Sequence, residues 1–325
     1  MATIGFHASH EQIPPSRLLE AVVAAEAAGF DAGMCSDHFA PWSERQGESG
    51  FAWSWLGAAL QATSLSFGVV TAPGQRYHPA VSAQAFATLA EMFPGRFWAA
   101  LGSGEAANEH ITGDRWPDKP TRDARLLECV DVIRRLLAGE EVTHRGLVTV
   151  DRARLWTLPS EQGFPTPKLI GAAVSAATAR TVGGWGDGLI TIRQPLETLR
   201  EVIAAFHDGG GAGKPVYVQQ HLSYDPDEAR ALELAHDQWR SNAFGSALMW
   251  NLELVEQFDD ASKHVRPEDM QTHVCISSDL GRHVGWIEEL LALDGVSGVY
   301  LHHVGQEQQG FIDAFGAHVL PKVRG

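Results

Sequence analysis

The segment Ser36-Asp37-His38 carries the sharpest chemistry in the chain. A histidine exchanges a proton near neutral pH, and a neighbouring carboxylate can tune or orient its surroundings. Adjacent side chains on an extended segment point apart, so a direct Asp–His bond is not implied. The plainer alternative is that Asp37 caps a turn and His38 is solvated. Glu105 closes Gly102-Ser103-Gly104-Glu105, a turn whose glycines let the backbone approach a ligand closely. Its plainer role is to charge or cap the first turn of the next helix. Trp42 stands beside Pro41 in a polar loop and suits covering a flat ring or a substrate, whereas at least one of Trp53 and Trp55 reads as core. Val174-Ser175-Ala176-Ala177-Thr178 opens a helix with small residues and leaves amides free for an anion, although a simple N-cap explains Ser175 equally well.

Other polar residues end apolar runs: His7 and Ser9, Thr71, His221 and His302-His303. The histidines lack the H-E-x-x-H spacing, and His302 and His303 would face opposite sides of a strand, so no metal site is expected. Cys35, Cys129 and Cys275 are odd in number and widely spaced, fitting neither a disulfide framework nor a zinc pair. They read as buried small apolar residues in a reduced, cytoplasmic protein. Cys35 lies near the proposed site and keeps a reactive alternative.

These residues need a scaffold. The chain of 325 residues is 44% hydrophobic and 20% charged, enough for a large core, with a net charge of −15. The charge disfavours nucleic-acid binding, and no leader or bilayer-spanning run is visible, so a membrane partner is not expected. The length admits two domains, but α/β barrels carry it as one, here 1–325. Short apolar runs alternate with helical patterns. Strands are expected at Thr3–Ala8, Asp31–Ser36, Phe67–Thr71, Phe97–Leu101, Lys168–Ala173, Gly188–Ile192, Val216–His221 and Val299–His302, each followed by a helix. An inserted hairpin is expected about 142–157 around Arg145-Gly146, and an irregular helical insertion about 225–270. Eight strand–helix units predict a (β/α)8 TIM barrel with the site at the strand C-termini. An open doubly wound sheet is the alternative, but G-x-G-x-x-G is absent after the first strand.

The motifs Ser36-Asp37-His38-Phe39, Pro41-Trp42, Trp53-Ser54-Trp55-Leu56, Arg76-Tyr77-His78-Pro79, Leu101-Gly-Ser-Gly-Glu-Ala106 and Asn108-Glu109 resemble the deazaflavin-dependent branch of the luciferase-like oxidoreductases. They are most similar to coenzyme F420-dependent glucose-6-phosphate dehydrogenases, and also resemble a sister branch predicted to use FMN. The resemblance implies a (β/α)8 barrel, often a homodimer, binding FMN or coenzyme F420 and a small-molecule substrate. It makes His38 and Glu105 the catalytic pair and Trp42 an active-site residue. Asp37 and Asn108 become cofactor contacts, 174–178 a phosphate-binding helix start, and Val69-Val70 a non-proline cis bulge beside Thr71. The resembled enzymes hold a sugar phosphate with lysines whose positions are Pro195 and Thr272 here, so glucose 6-phosphate is not the expected substrate. Arg193 is the nearby cation that could compensate. The expected activity is hydride transfer between the cofactor and a small organic substrate. A monooxygenase using FMN and oxygen, and a flavin-binding protein without turnover, are the alternatives.

Overall fold

A computed structural model describes residues 2–324, the side chains at 246 and 247 apart. Among the described residues eleven strands form, in chain order β1 (Thr3–Ala8), β2 (Ala32–Ser36), β3 (Ser66–Thr71), β4 (Phe97–Leu101), β5 (Val142–Arg145), β6 (Thr149–Ala153), β7 (Lys168–Ala172), β8 (Leu189–Ile192), β9 (Val216–Ser223), β10 (Cys275–Ile276) and β11 (Val296–His303). Eight of them close a parallel barrel in the order β1-β2-β3-β4-β7-β8-β9-β11, with β11 pairing back onto β1. β5 and β6 make the antiparallel hairpin expected from the alternation around Arg145-Gly146. β10 is a two-residue strand on the rim, added to the end of β9, which the sequence did not suggest.

Strand alternation sorts side chains into two cores. The outward residues, among them Phe6, Cys35, Val69, Leu101 and Val299, pack against the surrounding helices. The inward ones form a smaller cluster of Met34, Trp98, Ala100, Ile170, Ile190 and Tyr300. Trp98, Tyr217 and Tyr300 fill the lower barrel as an aromatic plug, with ring centroids 5.3–5.8 Å apart. Gly68 on β3 is needed for this, because a Cβ there would stand 2.0 Å from the Trp98 ring. The plug leaves the upper barrel, at the strand C-termini, to polar residues.

The expected cis peptide at Val69–Val70 is not found; no cis peptide occurs among the described residues. β3 instead runs in unbroken register with both neighbours, Val69 opposite Cys35 and Ala99, Val70 opposite Ser36 and Ala100. A trans bond satisfies that ladder, whereas a non-proline cis bond costs about 3 kcal/mol.

Candidate active site

The chain leaves β2 at Ser36 and turns under Asp37 into the loop that carries His38 and Trp42. Asp37 is buried and its carboxylate is fully engaged. Its Oδ2 accepts from Thr71 Oγ1 (2.9 Å) and Trp53 Nε1 (3.2 Å), and its Oδ1 from Tyr77 OH (3.1 Å). Arg76 donates to the Asp37 carbonyl at 2.7 Å and lies 3.4 Å from its carboxylate. Asp37 thus ties the end of β3 and the helix Ala52–Ala62 to the Arg76 loop. No hydrogen bond or ion pair joins its side chain to His38, the next residue in the chain. Glu109, whose buried carboxyl is pushed up in pKa by desolvation against the pull of Arg76, accepts from the Arg76 amide at 2.6 Å. Asn108 Oδ1 accepts from Phe39 N at 2.8 Å, so its amide N–H groups are the donors left for a ligand.

His38 is neither solvated nor paired with Asp37. Its side chain is 10% exposed, its Nδ1 is buried with no partner, and its Nε2 lies 3.5 Å from Glu11 Oε1. Glu11 arrives from the loop after β1. Its Oε1 also accepts from the Ser36 hydroxyl (2.5 Å), and its Oε2 from Ser9 (2.8 Å). Burial alone would raise this carboxyl, but His38, Ser36 and His7 outweigh burial and hold it down at about 2. Glu11 is therefore a carboxylate at neutral pH, and His38 Nε2 is the imidazole nitrogen that faces it.

Glu105 sits at the start of the short helix Ala106–Glu109, yet its side chain makes no cap hydrogen bond. It lines the same cleft as His38. Gly104 turns the chain there with φ +87°, and a Cβ on it would stand 3.2 Å from the Trp116 ring. Trp42 packs edge-on against His38 at 4.7 Å and against Trp239 at 5.5 Å, from the helical excursion after β9. Phe244, Met249 and Trp250 extend that wall, and the Trp250 carbonyl accepts from Ala106 N at 3.1 Å.

The cleft encloses about 580 Å³. Of the expected site residues, His38, Glu105, Trp42, Asp37, Val70, Thr71, Asn108, Val174 and Thr178 line it. Val69 does not, since its side chain faces the helices. Ser175 and Ala177 are exposed and stand outside the lining with Ala176. Ser175 Oγ caps the helix Ala176–Trp185 through Thr178 N at 3.4 Å, which leaves the amides of Ala176 and Ala177 as the donors at the helix start. Trp55 is core, as expected, while Trp53 serves Asp37. Cys35 is fully buried on the outward face of β2, where desolvation raises its thiol pKa well above the usual range, so the reactive alternative falls.

Each Arg or Lys lining the cleft is paired with a carboxylate. Arg193 donates to Gln220 Oε1 (3.2 Å), the Trp286 carbonyl (3.0 Å) and Glu289 Oε2 (3.0 Å). Arg76 is bound to Asp37 and Glu109, and Lys119 to Asp123 at 2.7 Å. Sequence reasoning missed Glu11, Arg76 as a tether, and the inward-facing Gln219 and Trp239. Glu11 lies three residues beyond a strand end, which was the one signal available.

The model of the luciferase-like monooxygenase family matches residues 1–289. The chain belongs to this family, and with it to the flavin- and deazaflavin-dependent oxidoreductases. It is 36% identical to the F420-dependent glucose-6-phosphate dehydrogenase of Beutenbergia cavernae, over 100% of this chain and 98% of that one. It is 32% identical to the enzyme of the same name from Mycobacterium tuberculosis, over 99% and 98%. Among solved structures, an F420-dependent secondary alcohol dehydrogenase in complex with an F420–acetone adduct superposes with a TM-score of 0.91 at 31% identity, covering 100% of this chain and 99% of that one. The coenzyme F420-dependent tetrahydromethanopterin reductase of Methanopyrus kandleri, 22% identical with a TM-score of 0.77 over 99% of both chains, shares the fold.

Proposed function

We propose that this chain is a coenzyme F420-dependent dehydrogenase that interconverts a small uncharged alcohol and its ketone. The observation that carries the reading is the placement of an ionised, buried Glu11 beside His38 in a cleft whose Arg and Lys side chains are each paired with a carboxylate. The first half supplies proton handling; the second disfavours a phosphorylated substrate, since phosphate recognition draws on available Arg or Lys.

The residues fit a flavin-type group of the FMN or F420 class. Asn108 offers its amide N–H groups, the backbone along Val70-Thr71 and Val174 borders the cleft, and the amides of Ala176 and Ala177 at the start of a ten-residue helix suit a phosphate. Asp37 contributes by holding Thr71 and the His38 loop in place. Such a group, when bound, accepts or donates the hydride. His38 Nε2 takes the hydroxyl proton as the alcohol carbon loses its hydride, and Glu11 steadies the imidazolium that results. Glu105 faces the same space as a second carboxylate, and Trp42 shields it from water.

On this reading residues 1–325 form one domain, because β1 and β11, from opposite ends of the chain, pair in one barrel. The protein works as a homodimer in the cytoplasm. Three free, buried cysteines suit a reducing compartment. Trp156 (85% exposed) and Val81 (56%) border a depression beside the hairpin, lined also by Glu141, Arg152 and Arg154, that suits a subunit contact of mixed apolar and charged character. No helix among the described residues is long and apolar enough to cross a membrane.

The deciding experiment titrates purified protein with coenzyme F420 and with FMN, then follows F420 reduction with 2-propanol or glucose 6-phosphate. Tight F420 binding and reduction by the alcohol alone are expected. Binding of FMN only, with substrate-dependent oxygen uptake, would replace the dehydrogenase with a monooxygenase.

A further inference from the structure

The inner wall of the cleft opposite Glu105 holds three imidazoles, His7, His221 and His302, that the chemistry above does not use. Strand alternation turns them inward from β1, β9 and β11. His302 packs on His7 at 4.3 Å and on Trp239 at 4.7 Å, and His221 on Trp239 at 4.8 Å. Burial holds His7 at about 4, His221 at about 3 and His302 well below its ordinary value, so all three are neutral near pH 7. Among the described residues no three His, Cys, Asp or Glu side chains are arranged to hold a metal ion.

A neutral imidazole has one donor and one acceptor nitrogen, and here the choice is forced from outside. Gln238 Nε2 donates to the Asp237 carboxylate (2.9 Å) and the Arg45 carbonyl (3.2 Å), both pure acceptors. Gln238 Oε1 must therefore accept, and it takes Gln12 Nε2 at 3.2 Å, which also donates to the Val304 carbonyl at 2.6 Å. Gln12 Oε1 then accepts from His302 Nε2 at 2.9 Å. That puts the His302 proton on Nε2 and leaves Nδ1 bare. Gln219 Nε2 lies 3.3 Å from His302 Nδ1 and 3.3 Å from His221 Nε2, and its two N–H groups serve both. His221 Nε2 is thus an acceptor already used, and its proton sits on Nδ1, on a residue that lines the cleft.

We propose that His221 Nδ1–H is a substrate-binding donor that selects an uncharged alcohol or ketone carrying a second oxygen, held away from the reacting carbon. A hydroxyl, ether or carbonyl oxygen satisfies it. Trp42 and Trp239 provide the apolar wall that runs from His38 to this donor. A phosphate or carboxylate would find neutral rings instead of cations, with ionised Glu11 close by. This rests on the dehydrogenase reading, and its test is separable from it.

The test has two arms. Long-range 1H–15N spectra of the full chain with bound F420 read the tautomers directly, and 1,2-propanediol is then added. His302 protonated on Nε2, His221 protonated on Nδ1, and a displaced His221 signal with the diol are expected. An Nε2-protonated His221, or no displacement at saturating diol, overturns the proposal even if no alcohol is turned over. In the kinetic arm, His221→Phe raises KM for 1,2-propanediol about 10-fold relative to KM for 2-propanol, the usual cost of one lost hydrogen bond. His221→Asn, whose amide replaces Nδ1–H, restores the ratio. Equal changes for both substrates, or no rescue by Asn, overturn the proposal. Failure to oxidise either alcohol rejects the dehydrogenase reading alone.

Discussion

On the proposed mechanism His38 and Glu11 act as a unit, and their roles can be separated. If His38 Nε2 carries the proton, His38→Ala slows the chemical step by about 10²–10⁴-fold. Cofactor affinity changes much less, since the donors for the ring and phosphate lie elsewhere. Glu11→Gln keeps the Ser36 contact but removes the charge beside the imidazole; it lowers kcat less than His38→Ala. The double variant is no slower than His38→Ala, because both substitutions remove one step. Single-turnover kinetics at saturating cofactor with a parallel binding titration measure this, and additive losses would divide the pair into independent functions. Glucose 6-phosphate should give no measurable turnover, and saturable reduction of F420 by that sugar would show Arg193 released from Glu289 and Trp286. That His38, Glu105 and Trp42 line one cleft was legible because each stands at a strand end or rim loop beside turn-forming residues. Glu11 was not, because its meaning depends on Ser36 and His38 arriving from another strand. Asp37 was legible as important but not as a tether, since its four partners come from three separate segments.

At the scale of elements, the barrel and its hairpin were readable from the change of hydrophobic period, and the strand ends placed the site. The β3 bulge was not a property of period at all. It came from likeness, and the ladder to β2 and β4 shows that nothing in the local pairing requires it. What does require an unusual backbone is the β4 turn. Gly104 adopts φ +87°, and a methyl group on it would lie within 3.4 Å of Trp116, Glu109 and Ala72. Gly104→Ala therefore meets both backbone strain and crowding, at a cost of about 1–3 kcal/mol. The turn moves rather than the barrel, so Tm falls by a few degrees while cofactor affinity falls more clearly, because Glu105 and Asn108 follow directly. Calorimetry and cofactor titration of the variant check this, and an unchanged affinity would show that the turn does not position the site.

Over the whole molecule, closing the barrel buries histidines that a linear reading leaves at solvated strand ends, because the parity that turns one inward is set by register. His302 faces the cleft and His303 packs outward on Phe311 at 5.1 Å. His7, His10, His283 and His303 are each held at about 4 by burial, His221 at about 3, and His302 lower still, against an ordinary value of 6.5. The sign follows from which state binds protons. Below pH 6.5 the unfolded chain takes up protons on these rings and the folded chain does not. Folding is therefore fully supported above pH 6.5 and loses stability as pH falls toward 4. Each such proton is worth about 1.4 kcal/mol per pH unit, so even a few acting together rival a total stability of about 5–15 kcal/mol within two units. Glu11 adds to the loss only below about pH 4.5, where the unfolded carboxyl protonates and the folded one, held at about 2, does not. Tm should thus be nearly flat from pH 8 to 7 and drop steeply between 6.5 and 4.5, with the drop present with or without added F420. Proton uptake on unfolding, measured by calorimetry in buffers of different ionisation enthalpy, should exceed one proton per chain near pH 5.5. A Tm that stays level from pH 7 to 5 would mean that these rings are charged or hydrated in the folded barrel, and the fixed tautomers of His302 and His221 would go with it.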